Sequence, residues 1–126
     1  MPTARGTVGR TLLPCLTFVI RRWELAPCPG DQAPRHVHHS SDEAFCVLEG
    51  LLDVQLGDER RRLDRGDFLV VPAGTVHTFA TVDDTPAVVL AVMTPEIDQL
   101  VAALHLASTE QEREQVWARY NSALAG

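Results

Sequence analysis

The sequence predicts an all-β fold, an antiparallel barrel or jelly-roll sandwich carrying a C-terminal helical extension. Three observations carry that expectation. Apolar and polar residues alternate with a period of two from residue 17 to about 93. Gly, Pro and Asp clusters interrupt that stretch at short intervals. After Met93 the apolar period lengthens to that of a helix. At 126 residues the chain can bury one real core and not two. The expected organisation is an N-terminal arm over 1–16, the barrel over 17–93 and the helices over 94–126.

In order, TFVIRRWEL (17–25) reads as a strand with Thr17, Val19, Arg21, Trp23 and Leu25 on one face. PCPGDQAP (27–34) is a loop, and HVH (36–38) is a short strand with both histidines on one side. EAFCVLEG (43–50) is a strand ending at a glycine. LLDVQLGDERRRL (51–63) is a hairpin turning at Gly57–Asp58. DRGD (64–67) turns into FLVVP (68–72), AGT (73–75) into VHTFATV (76–82), and DDTP (83–86) into AVVLAVM (87–93). Thr94 can cap a helix whose first position is Pro95, where the missing N–H costs nothing; Ile97, Leu100, Val101 and Leu104 form its stripe. Thr109 with Glu112 makes a capping box for a second helix, whose apolar face is read as Val116, Trp117, Tyr120 and Leu124, packing helix to barrel.

Composition excludes several functions. The net charge of −6 repels phosphate backbones, so no nucleic-acid partner is expected. The one basic cluster, ERRRLDR (59–65), reads as a solvated hairpin. No apolar run reaches the ~18 residues of a membrane span. TLLPCLTFVI (11–20) is broken by Pro14 and closed by Arg21–Arg22, so it reads as a strand with a lead-in rather than an export signal. Cys15, Cys28 and Cys46 form no C-x-x-C pair, which points to a reducing, cytoplasmic setting; Cys46 reads as a small core filler. There is no lysine, so Schiff-base chemistry is excluded.

The histidines are the informative residues. Glu43 opens the strand that follows His36 and His38 across the short turn HSSD, and adjacent antiparallel strands then bring the three together. Imidazole and carboxylate donors in that arrangement suit a divalent transition metal. A fourth donor, His77, follows PAGTV on another strand. His39 and His105 read as ordinary imidazoles, with His39 pointing away from His38 and at most standing at the rim.

At this point the sequence resembles the cupin family. Gly30, His36, His38, Glu43 and Gly50 match its first motif, and Gly66, Pro72, Gly74 and His77 match its second; Thr81 stands where the second motif ends in asparagine. That asparagine is not a ligand in the family pattern, so the metal reading survives the departure. The resemblance spans residues 17–93 and implies a metal held by His36, His38, Glu43 and His77. The ligand set does not select among iron, manganese, nickel, cobalt, copper and zinc, and it leaves one or two positions open.

If Glu43 faces inward, so do Phe45 and Val47; if His77 does, so do Phe79 and Thr81. Phe68 or Leu69 and Trp23 complete an apolar substrate pocket, and an inward Arg21 would favour an anionic ligand. The single tyrosine, Tyr120, lies in the C-terminal helices, so sugar epimerases with a His/Tyr acid–base pair fit poorly. The resemblance implies an enzyme on a small aromatic or enolisable substrate, foremost a quercetinase-like dioxygenase with Glu43 as ligand and catalytic proton acceptor. The alternatives are a non-redox polyketide cyclase, isomerase or decarboxylase using the metal as Lewis acid, and a small-molecule-binding cupin without catalysis. Exposed strand edges predict a homodimer.

Overall fold

The computed structural model describes residues 18–125; the expected N-terminal arm over 1–16, with Cys15, lies outside the described residues. In chain order the elements are β1 (Val19–Leu25), β2 (His36–His38), β3 (Glu43–Glu49), β4 (Leu52–Leu56), β5 (Glu59–Leu63), β6 (Phe68–Val71), β7 (His77–Thr81), β8 (Ala87–Met93), α1 (Pro95–Leu106), α2 (Glu110–Arg119) and β9 (Ser122–Leu124). Every strand pairing is antiparallel. The strands make two sheets, one ordered β1-β8-β3-β6 and the other β5-β4-β7-β2-β9.

The period-2 alternation explains the core between these sheets. In β8 the inward set Ala87, Val89, Ala91 and Met93 is buried and the intervening residues are half-buried. Phe45 and Val47 of β3, Leu52 and Val54 of β4, and Phe79 of β7 meet them. Trp23 packs on this core from β1, 6.2 Å from the ring of Phe45 and 6.1 Å from that of Phe79.

Two turns show why particular residues are needed. Gly50 ends β3 with φ +79°, and a Cβ there would lie 2.4 Å from the carbonyl oxygen of Pro86, so only glycine fits. Gly74 turns β6 towards β7 with φ +82°, and its N–H donates to the carbonyl of His38 at 2.8 Å. Beside it, the Ala73 N–H donates to the Asp42 carboxylate at 2.8 Å. The turn before His77 is thus tied to the loop before Glu43.

The helices begin where the caps place them. The hydroxyls of Thr94 and Thr109 accept the N–H groups of Ile97 and Glu112. Ile97 and Leu100 are buried, and Val116 and Trp117 pack with Leu100 in a second cluster. Arg21 donates both guanidinium bonds to Asp98 at 3.0 Å, which turns it away from the pocket considered for it and onto α1. Among the described residues no helix is long and apolar enough to cross a membrane.

Three expectations need correction. The apolar face of the second helix does not run on to Leu124. The helix ends at Arg119, Asn121 takes φ +55°, and the chain returns as β9 beside β2. Next, β2 and β3 are not neighbours: β2 pairs with β7 and β9, while β3 pairs with β6 and β8 in the other sheet. Finally, Phe68 is 59% exposed on the outer face, and it is Leu69, opposite the inward Phe45, that packs on the core.

Candidate metal centre

The four candidate donors come from three strands and both sheets. His36 and His38 share one face of β2 because one residue separates them. His77 stands opposite His36 in the β2–β7 ladder. Glu43 is the first residue of β3 and reaches across from the facing sheet. One donor atom from each lies within 4.8 Å of all the others, and all four side chains are buried. The Glu43 carboxylate is 3.1 Å from His77 Nε2 and 3.5 Å from His38 Nε2.

The outward nitrogens decide which way each imidazole presents its lone pair. His36 Nδ1 lies 2.7 Å from the Pro34 carbonyl and His77 Nδ1 lies 2.9 Å from the Thr75 carbonyl. A carbonyl only accepts, so both Nδ1 atoms carry hydrogen. His38 Nδ1 lies 2.8 Å from the Ser122 hydroxyl, which itself donates to the Tyr120 carbonyl at 3.2 Å. That hydroxyl is left to accept from His38. In the neutral imidazoles each Nε2 therefore turns a lone pair inward, towards a carboxylate and two other lone pairs. Such a set repels itself unless a cation stands between its members, and orienting bonds at the opposite nitrogen are what metal-binding imidazoles require. The residues fit a divalent transition metal; nitrogen and oxygen donors of this kind leave its identity open.

The electrostatics agree with that fit. Burial pushes the His36 pKa down to about 4, and the neighbouring His77 and His38 push the same way. Burial would raise the Glu43 pKa, but the adjacent His38 and His77 imidazoles, which donate to the carboxylate when protonated, outweigh it and hold it at about 2. At neutral pH His36 is neutral and Glu43 ionised, the states in which each can bind a metal.

The centre forms the floor of a cleft of about 780 Å³ between the barrel and the helices, lined at its base by His36, His38 and Glu43. Trp23, Leu25 and Phe79 wall it from the barrel, Ile97, Leu100, Val101 and Leu104 from α1, and Trp117 and Leu124 from the last two elements. Gln32, Ala33 and Pro34 of the loop before β2, with Arg22, Glu24, His105, Glu110 and Arg113, complete the lining. Arg22 is paired with Glu24 and Arg113 with Glu110.

Of the residues expected in a pocket, Trp23 and Phe79 line this cleft. Phe45 and Val47 are fully buried behind them, with the Phe45 ring 5.4 Å from that of Phe79. Thr81 lies at the far end of β7, paired with Leu52, and Phe68 faces outward. His39 is exposed, with its backbone N–H bonded to the Asn121 carbonyl. Sequence reasoning missed two residues. Ser122 carries no spacing signal, because it follows His38 by 84 positions. In the sequence Trp117 reads only as packing, yet its ring is 5.1 Å from that of His36.

Comparison with known proteins agrees with the motifs. The family profile described as the cupin domain matches residues 24–93. Over 50 residues the chain is 44% identical to a quercetin 2,3-dioxygenase of Bacillus subtilis, covering 40% of this chain and 15% of that protein. Over 72 residues it is 35% identical to the tetracenomycin polyketide synthase protein TcmJ of Streptomyces glaucescens, covering 57% of this chain and 47% of that one. The chain thus spans less than half the length of either relative. Among solved structures, a sugar phosphate isomerase from a cupin superfamily of Silicibacter pomeroyi superposes with a TM-score of 0.56 at 31% identity, covering 63% of this chain and 51% of that one.

Proposed function

The chain belongs to the cupin family, and from that premise we propose that it is a metal-dependent enzyme acting on a small aromatic or enolisable molecule, by dioxygenase-type chemistry. One observation carries the reading: a buried three-histidine, one-carboxylate set forms the floor of a cleft whose walls are chiefly apolar. His36, His38, Glu43 and His77 would hold the metal, which supplies Lewis acidity and, for iron, manganese, nickel, cobalt or copper, access to electron transfer. The indole of Trp23 and the ring of Phe79 offer flat apolar faces to a planar substrate. The apolar α1 side chains of the cleft would limit the access of water to a bound substrate. Glu43 is the one carboxylate at the floor and the group placed to take a proton from a substrate hydroxyl or activated C–H. The partial match to the Bacillus dioxygenase supports this choice of chemistry.

The match to the Streptomyces polyketide protein favours a second reading, a cyclase or isomerase in which the metal acts only as Lewis acid. A sugar phosphate suits this cleft poorly, because both of its arginines already face a carboxylate. The test is oxygen uptake by metal-reconstituted protein offered flavonols and enolisable polyketide-like compounds. Uptake with both oxygen atoms in the product supports the dioxygenase. Turnover under strict anaerobiosis with zinc replaces it with the second reading, and tight binding without conversion makes the protein a binding module. We further propose a cytoplasmic setting, since Cys28 and Cys46 form no disulfide among the described residues, and a homodimer, on the exposed Phe68 and Val70 of β6, an edge strand among the described residues.

A further inference from the structure

The strand carrying two of the four donors is short and meets β7 only briefly. β2 has three residues and meets β7 at one register pair, His36 with His77. Along its other edge it is paired throughout with β9: His36 with Leu124, Val37 with Ala123, His38 with Ser122. Two further backbone bonds close the ends, from the His39 N–H to the Asn121 carbonyl at 3.0 Å and from the Ala125 N–H to the Arg35 carbonyl at 2.9 Å. Without β9, β2 would be a three-residue edge strand, too short to fix its side chains. Within this strap Ser122 is 4% exposed and its hydroxyl sits 2.8 Å from His38 Nδ1.

From this geometry we infer that Ser122 is a positioning residue of the metal centre: its hydroxyl, anchored on the Tyr120 carbonyl, holds His38 with Nε2 turned to the metal, so the C-terminal extension is part of the site. The inference rests on the metal reading above. The hydroxyl has one hydrogen, and the Tyr120 carbonyl takes it; only its lone pairs then face His38, which fixes hydrogen on Nδ1. His36 and His77 receive the same orientation from backbone carbonyls two residues before them, within their own strand entries. His38 alone depends on a side chain far along the sequence. Loss of an orienting bond of this kind lowers metal affinity by roughly 10- to 100-fold.

The experiment measures zinc affinity by chelator competition, together with the imidazole N–H signals of the zinc-loaded protein. Ser122→Ala should weaken zinc binding at least tenfold, and the His38 Nδ1–H signal should exchange rapidly with water while those of His36 and His77 persist. Ser122→Thr, which keeps the hydroxyl, should recover most of the affinity. Unchanged affinity in Ser122→Ala overturns the inference. If Ser122→Ala does not fold, the wild-type spectrum decides: a slowly exchanging His38 Nδ1–H supports the inference, and a His38 with hydrogen on Nε2 overturns it. His77→Ala separates the two failures. If it loses zinc while Ser122→Ala keeps it, only the positioning role falls; if both keep zinc, the metal centre itself falls.

Discussion

Glu43 and His77 approach within 3.1 Å although they belong to opposite sheets. No local pattern produces that meeting; it needs the two sheets to close on one another. It also places a carboxylate against an imidazole whose other nitrogen is already donating to Thr75. A cation between the four side chains would resolve the contact.

His77→Ala should therefore cut the metal content of purified protein more than about tenfold, while His105→Ala, on the exposed last turn of α1, should leave it unchanged. Elemental analysis of both variants checks this. Added zinc should raise the Tm of wild type and of His105→Ala but not of His77→Ala, because a ligand stabilises only the state that binds it. Equal metal retention in the two variants would refute the ligand assignment.

Gly50→Ala should destabilise the domain by about 2 kcal/mol or more, since it combines a left-handed backbone with a backbone collision. Gly57, with φ +55° and nothing near its absent Cβ, isolates the first of those costs. Gly57→Ala should then lose only about 1 kcal/mol. Urea unfolding of the pair measures the difference. Equal losses would mean that the Pro86 carbonyl moves aside freely.

The fold was legible where one-dimensional periods suffice. Alternation placed β1, β3 and β8 within a residue or two, and the Thr94 and Thr109 caps located both helix starts. The meeting of His36, His38, Glu43 and His77 was legible in part too, because His36 and His38 share a strand face and the glycines around them mark the turns. What failed was whatever depends on partners distant in sequence. Leu124 fits a helical stripe as well as a strand, and only the left-handed Asn121 and the free edge of β2 decide for the strand. Phe68 and Leu69 are equally apolar, and their register against Cys46 and Phe45 selects the inward one.

A homodimer using the outer face of β6 makes Phe68 its most exposed anchor there. Phe68→Glu should then shift the protein to monomer in light scattering while leaving its metal content intact, since Phe68 touches no donor. Wild-type protein that stays monomeric at high concentration would end the dimer reading.

Acid should weaken the metal-free protein in two stages. The unfolded chain protonates His36 near its ordinary 6.5, the folded chain only near 4. Between those values the unfolded state holds the extra proton, so stability falls as pH falls, by on the order of 3 kcal/mol. Glu43 acts in the lower window: its folded pKa of about 2 against an ordinary 4.5 gives stability present above 4.5 and lost on the way down to 2. Urea midpoints of chelator-treated protein at pH 7, 5.5 and 4.5 should drop steadily in wild type. His36→Gln removes the upper-window group and should flatten that drop; the change of midpoint with pH, not its value at pH 7, is the measure. Parallel slopes for the two proteins would mean that His36 is free to protonate in the folded state, and that burial does not keep it ready for a metal.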